Sequence, residues 1–243
     1  MTMRVIITGG SGLLGRALAD NLSLDGHEAI ILSRRPQEVR GLPAGARAVR
    51  WDGRSAAGWA ELIDGSTAIV NLAGENISAG RWTERRKESI VRSRVDAGRA
   101  VVEAVQQAAV GPAVVIQASG IGHYGPRGDE FVTEQSPAGA DFGARVTLAW
   151  EASTALLDEL GVRRVIMRMG PSLTPRGGAL PLMMLPFRLF VGGPLGSGRQ
   201  WLSWIHIADT IAAMRFLMER DDARGVFNVC SPQPATNAAF GRA

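Results

Sequence analysis

The sequence predicts an α/β fold, a doubly wound parallel sheet with a small C-terminal lobe. Three observations predict it. Short apolar runs alternate with segments of helical spacing through residues 1–170. These runs are continuously apolar rather than alternating, as burial on both faces of a sheet requires. A glycine-rich turn, Thr8-Gly9-Gly10-Ser11-Gly12-Leu13-Leu14-Gly15, joins the first run directly to the first helical segment.

Arg4 to Thr8 reads as a buried strand, and Leu13 to Leu24 as a helix with Leu14, Leu18 and Leu22 on one face. Glu28 to Leu32, Ala46 to Trp51 and Ala68 to Leu72 are the next three strands. A long helix follows from about Thr83, its inner face marked by Ile90, Val91, Val95, Val102 and Val105. Ala113 to Gln117 is a fifth strand, Leu148 to Leu160 a helix and Arg164 to Met169 a sixth strand. After Gly170 the texture changes. Pro171, Pro175, Pro181, Pro186 and Pro194 cut the chain into short pieces. Residues 171–243 therefore read as a smaller substrate lobe. It interleaves with the 1–170 core, since Ile207 to Met218 and Val226 to Val229 look like one more helix and strand. Residues 236–243 open like a helix with Thr236 as N-cap, but are too few to stand alone, so the chain reads as truncated.

The 243 residues, 46% hydrophobic, supply a core for one full domain, or one domain and a small lobe. No apolar stretch approaches membrane-spanning length, and Met1-Thr2-Met3-Arg4 runs into a strand without a signal-peptide layout. With Cys230 as the only cysteine, no intrachain disulfide forms, and a reducing, cytoplasmic setting is expected. Arginine carries the net charge of +4, since Lys87 is the only lysine. Arg81, Arg85, Arg86, Arg92, Arg94 and Arg99 form either the solvated face of a helix or a guide for an anionic ligand. No nucleic-acid motif and no metal-ligand spacing is present.

Gly9, Gly12 and Gly15 repeat as G-x-x-G-x-x-G between a strand and a helix. The first allows a tight turn, the second close approach to a pyrophosphate, and the third packing of helix on strand. The helix N-terminus then offers N–H groups to phosphates. This is a Rossmann dinucleotide site, with Gly10, Ser11, Leu13 and Leu14 completing its loop. An acidic residue closing the second strand would bind the ribose 2′-hydroxyl of NAD. Ser33-Arg34-Arg35 stands there instead, two guanidinium groups and a hydroxyl suited to a 2′-phosphate, so the expected cofactor is NADP(H). Asp52 either contacts the adenine edge or caps its loop.

The glycine motif, with Asn71-Leu72-Ala73-Gly74 after the fourth strand, resembles the short-chain dehydrogenase/reductase superfamily. Ser119-Gly120-Ile121-Gly122-His123-Tyr124-Gly125 and Gly196-Ser197-Gly198-Arg199-Gln200 with Ser203-Trp204-Ile205-His206-Ile207-Ala208-Asp209 are similar to its extended, sugar-nucleotide-epimerase branch. Arg81-Trp82-Thr83, Ser93-Arg94-Val95 and Trp150-Glu151 resemble its atypical "epimerase family" subgroup of nucleoside-diphosphate-sugar-epimerase-like and cell-division-inhibitor-like proteins, across essentially the whole chain. The resemblance implies cofactor contacts at Leu72, Ala73, Gly74, Ser119 and Arg168. It implies a small-molecule substrate, a sugar nucleotide or carbonyl compound, and pairing of subunits as a homodimer through the helices at Thr83 and Leu148.

It does not carry over the superfamily's Tyr-x-x-x-Lys proton relay. Lys87 precedes the only tyrosine, Tyr124, and the pair's place is held by Gly143, Ala144, Arg145, Val146 and Thr147. Gly120 stands at the usual serine position and Arg94 at a structural asparagine. The catalytic candidates are Ser119, to hydrogen-bond a carbonyl, and Tyr124, as acid. His123 is a further acid candidate that otherwise reads as a surface histidine, and Arg94 either substitutes electrostatically for the missing lysine or belongs to a structural ion pair. Trp150-Glu151 reads as a buried anchor with a paired carboxylate. Glu75 and Asn76 either shape the pocket or cap their loop; Trp201 and Trp204 line a cleft or pack as core, and His206 enters a helix. Two functions stay open: an NADP(H)-dependent oxidoreductase or epimerase with a rebuilt centre, and a non-enzymatic NADP(H) sensor.

Overall fold

The computed structural model describes residues 2–242. Seven parallel strands form one sheet: β1 (Arg4–Thr8), β2 (Glu28–Ser33), β3 (Ala46–Arg50), β4 (Thr67–Asn71), β5 (Val114–Gly120), β6 (Arg164–Met169) and β10 (Gly225–Val229). Their order, β10-β6-β5-β4-β1-β2-β3, reverses direction between β1 and β4. In such sheets the crevice outside the carboxyl ends at the reversal receives the ligand.

Alternate residues of each strand enter two separate cores. Val5, Ile7, Ile31, Val70 and Ile116 pack on one face against Leu18 and Leu22 of α1 (Leu13–Leu24) and Met214 and Leu217 of α6 (Ile207–Glu219). Ile6, Ile30, Ile69 and Val115 pack on the other against Ala97, Val101 and Ala104 of α2 (Glu84–Gln107). Burial on both faces is why the strands read as unbroken apolar runs.

Two helices differ from expectation. The inner face of α2 includes Ile90, Val102 and Val105, but Val91 and Val95 are only half-buried. Small residues do the packing instead. A Cβ on Gly98 would lie 1.8 Å from Ser153 Oγ, so the α2 backbone packs directly on the Ser153 side chain at the end of the next helix. That helix, α3 (Phe142–Ala152), starts six residues before the expected Leu148, at a position hidden in the sequence by Gly139 and Gly143. Asp141 caps it by accepting from the Ala144 N–H at 2.8 Å. It stops short of Leu160 because Ser153 donates back to the Trp150 carbonyl at 2.6 Å and Thr154 to that of Glu151, and a separate turn, α4 (Leu156–Glu159), follows. Gly98→Ala tests the close contact. Helix propensity alone favours alanine by about 1 kcal/mol, whereas overpacking costs about 1–3 kcal/mol. A lower midpoint in urea denaturation is expected, and a raised midpoint would refute the contact.

Beyond Gly170 lie β7 (Ser172–Leu173), α5 (Leu180–Arg188), β8 (Trp201–Leu202), β9 (Ile205–His206), β11 (Ala235–Thr236) and α7 (Asn237–Phe240), beside α6 and β10 of the sheet layer. β7 pairs with β9 and β11 with β8. Thr236 caps α7, accepting from Ala239 N–H at 3.2 Å, and His206 caps α6. Arg163 is buried, and its guanidinium donates to the carbonyls of Leu217, Met218 and Arg220 at 2.7–2.9 Å, closing the end of α6. Among the described residues no helix is long and apolar enough to cross a membrane.

Candidate functional site

The turn after β1 is built as its glycines require. Gly9 has φ +65°, and a Cβ there would sit 2.8 Å from the Leu72 carbonyl oxygen, so the turn lies directly on the segment leaving β4. A Cβ on Gly15 would lie 2.4 Å from Gly10 Cα, which presses α1 onto the turn. Gly12 begins α1 with no capping side chain, so the first N–H groups of the helix are left for a ligand.

A groove of about 1070 Å³ opens over this helix end. Of the residues expected at the nucleotide, Gly9, Ser11, Gly12, Ser33, Arg34, Arg35, Asp52, Leu72, Ala73 and Gly74 line it. Gly10 instead lets the turn pack against Ile31, and Leu13 lies against the Gly177–Gly178 backbone. Leu14 packs at the edge of the core. Arg16, Arg54 and Arg92 also line the groove. Arg16 falls one helical turn after Gly12, so periodicity alone had the means to place it there.

The end of β2 carries no carboxylate. Arg34 is exposed and makes no hydrogen bond or ion pair among the described residues, while Arg35 has only a 3.4 Å contact with Glu38. Ser33 Oγ accepts from the Arg35 N–H at 3.2 Å, which leaves its proton free to donate outward. Asp52 caps its own loop, accepting from Arg54 N–H at 2.8 Å and Ser55 N–H at 2.9 Å. Burial opposes its charge, but these bonds hold its carboxyl below the usual range. The residues present fit a dinucleotide with an added phosphate on its adenosine ribose: a glycine cradle, an uncapped helix N-terminus and an unpartnered guanidinium.

Across the carboxyl ends of the strands runs a buried polar chain. Thr8 Oγ1 donates to Asn71 Oδ1 at 2.5 Å, Asn71 Nδ2 to Gln117 Oε1 at 2.8 Å, and Gln117 Nε2 to the Ala118 carbonyl at 2.7 Å. Glu75, in the loop after β4, accepts from Arg86 and from Ser89 Oγ and so ties the loop to α2. Arg94 is not in an ion pair. Its Nη1 donates to the Glu75 and Ile90 carbonyls at 3.1 and 3.0 Å, and its guanidinium lies 4.8 Å over the Trp150 ring and against Gly74. Burial lowers its pKa to about 10. The inward turn, with Gly74 leaving the room, is what the local sequence did not show.

A second cluster gathers at the ends of β5 and β6. Strand register sets Ser119 opposite Arg168, and Arg168 opposite Asn228. Ser119 Oγ donates to Glu151 Oε1 at 2.6 Å. Arg168 grips the same carboxylate with two bonds of 2.9 Å and donates to Tyr124 Oη at 3.1 Å. Tyr124 Oη donates to Asn228 Oδ1 at 2.6 Å. Burial opposes the charge of Glu151, but Arg168 and Ser119 outweigh it and hold its carboxyl below the ordinary range. Arg168 is raised above its ordinary value, the Glu151 and Tyr124 bonds outweighing burial. His123, expected at the surface, is buried: the turn after β5 folds it under α3, its Nδ1 3.6 Å from Glu151 Oε1. Trp150-Glu151 is the buried anchor with a paired carboxylate that its sequence suggests. The place of the Tyr-x-x-x-Lys pair is small: the Thr147 hydroxyl returns to the Gly143 and Ala144 carbonyls, and its methyl lies 3.9 Å from where a Gly120 Cβ would be. Asn228 belongs to this cluster through β10 alone, and nothing local in the sequence marks it. Trp201 is half-exposed and bonds Asp129 at 2.7 Å. Among the described residues no group of His, Cys, Asp and Glu is arranged to hold a metal ion.

A Rossmann sheet, this glycine turn and a nucleotide groove at the reversal of strand order define a dinucleotide-binding protein of the short-chain dehydrogenase/reductase type. The profile of the NAD dependent epimerase/dehydratase family matches residues 5–230, and the chain belongs to that family. It is 38% identical over 243 residues to the "Epimerase family protein YfhF" of Bacillus subtilis, covering 99% of this chain and 78% of that one. The crystal structure of human epimerase family protein SDR39U1 (isoform 2) with NADPH superimposes with a TM-score of 0.86 at 35% identity, over 98% of this chain and 77% of that one. A nucleoside-diphosphate sugar epimerase from Corynebacterium glutamicum gives a TM-score of 0.82 at 35% identity, over 100% of this chain and 49% of that one.

Proposed function

We propose that the protein binds NADP(H) in the groove and is an oxidoreductase or epimerase acting on a small molecule, a sugar nucleotide or another carbonyl compound. One observation carries the cofactor: Ser33, Arg34 and Arg35 close β2 on the groove wall with no carboxylate among them and with Arg34 unpartnered. The similarity to human SDR39U1, crystallised with NADPH, supports it. The bound nicotinamide would give or accept a hydride. In this reading Ser119 and Tyr124 are the catalytic hydroxyls of a rebuilt centre, held in place by Glu151, Arg168 and Asn228.

A specific observation favours a second reading, a non-enzymatic NADP(H) sensor: both hydroxyls are already engaged inside the protein. A fluorescence titration with NADPH and NADH, followed by a panel of sugar nucleotides and carbonyl compounds, separates the two. The enzyme is expected to bind NADPH more tightly and to oxidise it with some member of the panel, more slowly in Ser119→Ala and Tyr124→Phe. Tight NADPH binding with no turnover, and a change of oligomeric state or partner binding on its addition, would replace the enzyme by the sensor.

A further inference from the structure

We propose that His123, oriented by Glu151, is the group that takes up and returns the proton at this site, a role that rests on the NADP(H) reading above. Both catalytic hydroxyls of that reading already donate inside the protein, which leaves uptake of the substrate proton to another group. The Ser119 proton points at Glu151 and the Tyr124 proton at Asn228, while Arg168 fills the remaining side of Tyr124 Oη. His123 differs from both. Its Nδ1 is shut in without a hydrogen-bond partner, 3.6 Å from Glu151 Oε1. Its Nε2 has no partner either and is not sealed from solvent. The ring is held edge-on to Tyr124, 5.2 Å between centroids.

A carboxylate beside one ring nitrogen selects the tautomer with the proton on that nitrogen. Glu151 itself cannot swing away, because Ser119 Oγ and Arg168 Nε and Nη2 fix it at 2.6–2.9 Å. Nδ1–H therefore faces Glu151, and Nε2 keeps its lone pair. At 3.6 Å Glu151 lies beyond hydrogen-bond distance and acts on the ring as a charge, a looser form of the base-and-orienter arrangement of a histidine general base. The charged groups that face the ring are Glu151 from α3, which favours the imidazolium, and Arg168 from β6, which opposes it. Burial is the largest influence and keeps the ring neutral below its ordinary value. The neutral ring can accept a proton at neutral pH. In the oxidative direction a substrate O–H bond breaks and its proton goes to Nε2. The hydrogen on the adjacent carbon leaves as hydride to NADP+, and a C=O bond forms. In the reverse direction both return.

The three histidines, His27, His123 and His206, make the test direct. Nitrogen NMR of the whole protein, assigned with His27→Gln and His206→Gln, reads the tautomer and titration of His123. The expected state is a neutral Nδ1–H imidazole titrating below the ordinary value of about 6.5. Its midpoint should fall by about half a pH unit or more with NADP+ relative to NADPH, because the oxidised nicotinamide carries one more positive charge. His27 and His206 should not respond. An Nε2–H tautomer, or a midpoint equal with the two cofactor forms, overturns the inference while leaving cofactor binding intact. If fluorescence shows no binding of NADPH at all, the cofactor reading falls and this inference with it. His123→Gln should keep NADPH affinity within about threefold of the wild type (under 1 kcal/mol).

Discussion

Glu151→Ala is expected to destabilise the protein by about 3–5 kcal/mol, the usual effect of removing one member of a buried pair. The cost lies in what stays behind. Arg168 is 6% exposed and would keep its charge with both carboxylate bonds gone. Ser119 would lose its acceptor, and Arg168 would be free to pull away from Tyr124. Urea denaturation followed by circular dichroism measures the loss, and a change under about 1 kcal/mol would show that the pair is not the lock of this end of the sheet. The same carboxylate sets an acid dependence. Its folded pKa is depressed, so its contribution is complete above the unfolded value of about 4.3 and lost as pH falls through the folded one. The lowered pKa of His123 adds in the same direction. The unfolded chain takes up that proton first, and stability declines below about pH 6.5. Glu151→Gln should therefore flatten the lower part of the acid limb without removing the part that belongs to His123.

Arg34→Ala/Arg35→Ala is expected to weaken NADPH binding about 100-fold and to leave NADH binding unchanged. Each charge-assisted hydrogen bond to a phosphate contributes about 1.5–3 kcal/mol, and 1.4 kcal/mol is one decade of affinity. Both side chains are exposed, so water and salt reduce the effect below the sum of two such bonds. Their removal disturbs no core contact, and the folding midpoint should not move. Fluorescence titration of wild type and variant with both cofactors reads the difference. An equal loss for NADPH and NADH would mean that the arginines attract anions in general rather than the 2′-phosphate, and no loss would move the phosphate clamp to Arg16 or Arg54 on the same groove wall.

Arg4–Thr8, Leu13–Leu24 and Arg164–Met169 have the bounds their local pattern predicts, because unbroken apolar runs and a 3.6-residue period are local properties. The glycine turn and the arginines at the end of β2 were legible for the same reason: each acts within a few residues of its own strand. Helix α3 was legible only in part, since Gly143 stands two residues after its cap, Asp141, and its contact with α2 rests on the absence of a side chain at Gly98.

What the sequence by itself determined is the sheet, its nucleotide crevice, and the absence of the Tyr-x-x-x-Lys relay. The tertiary structure alone decided what stands in the relay's place. Ser119, Glu151, Arg168 and Asn228 come from four different elements and meet because parallel register aligns β5, β6 and β10 at one end while α3 crosses them. The same packing turned Arg94 inward and buried His123 against Glu151. A side chain's charge and partners depend on what is packed over it, and that is not a property of its neighbours in sequence.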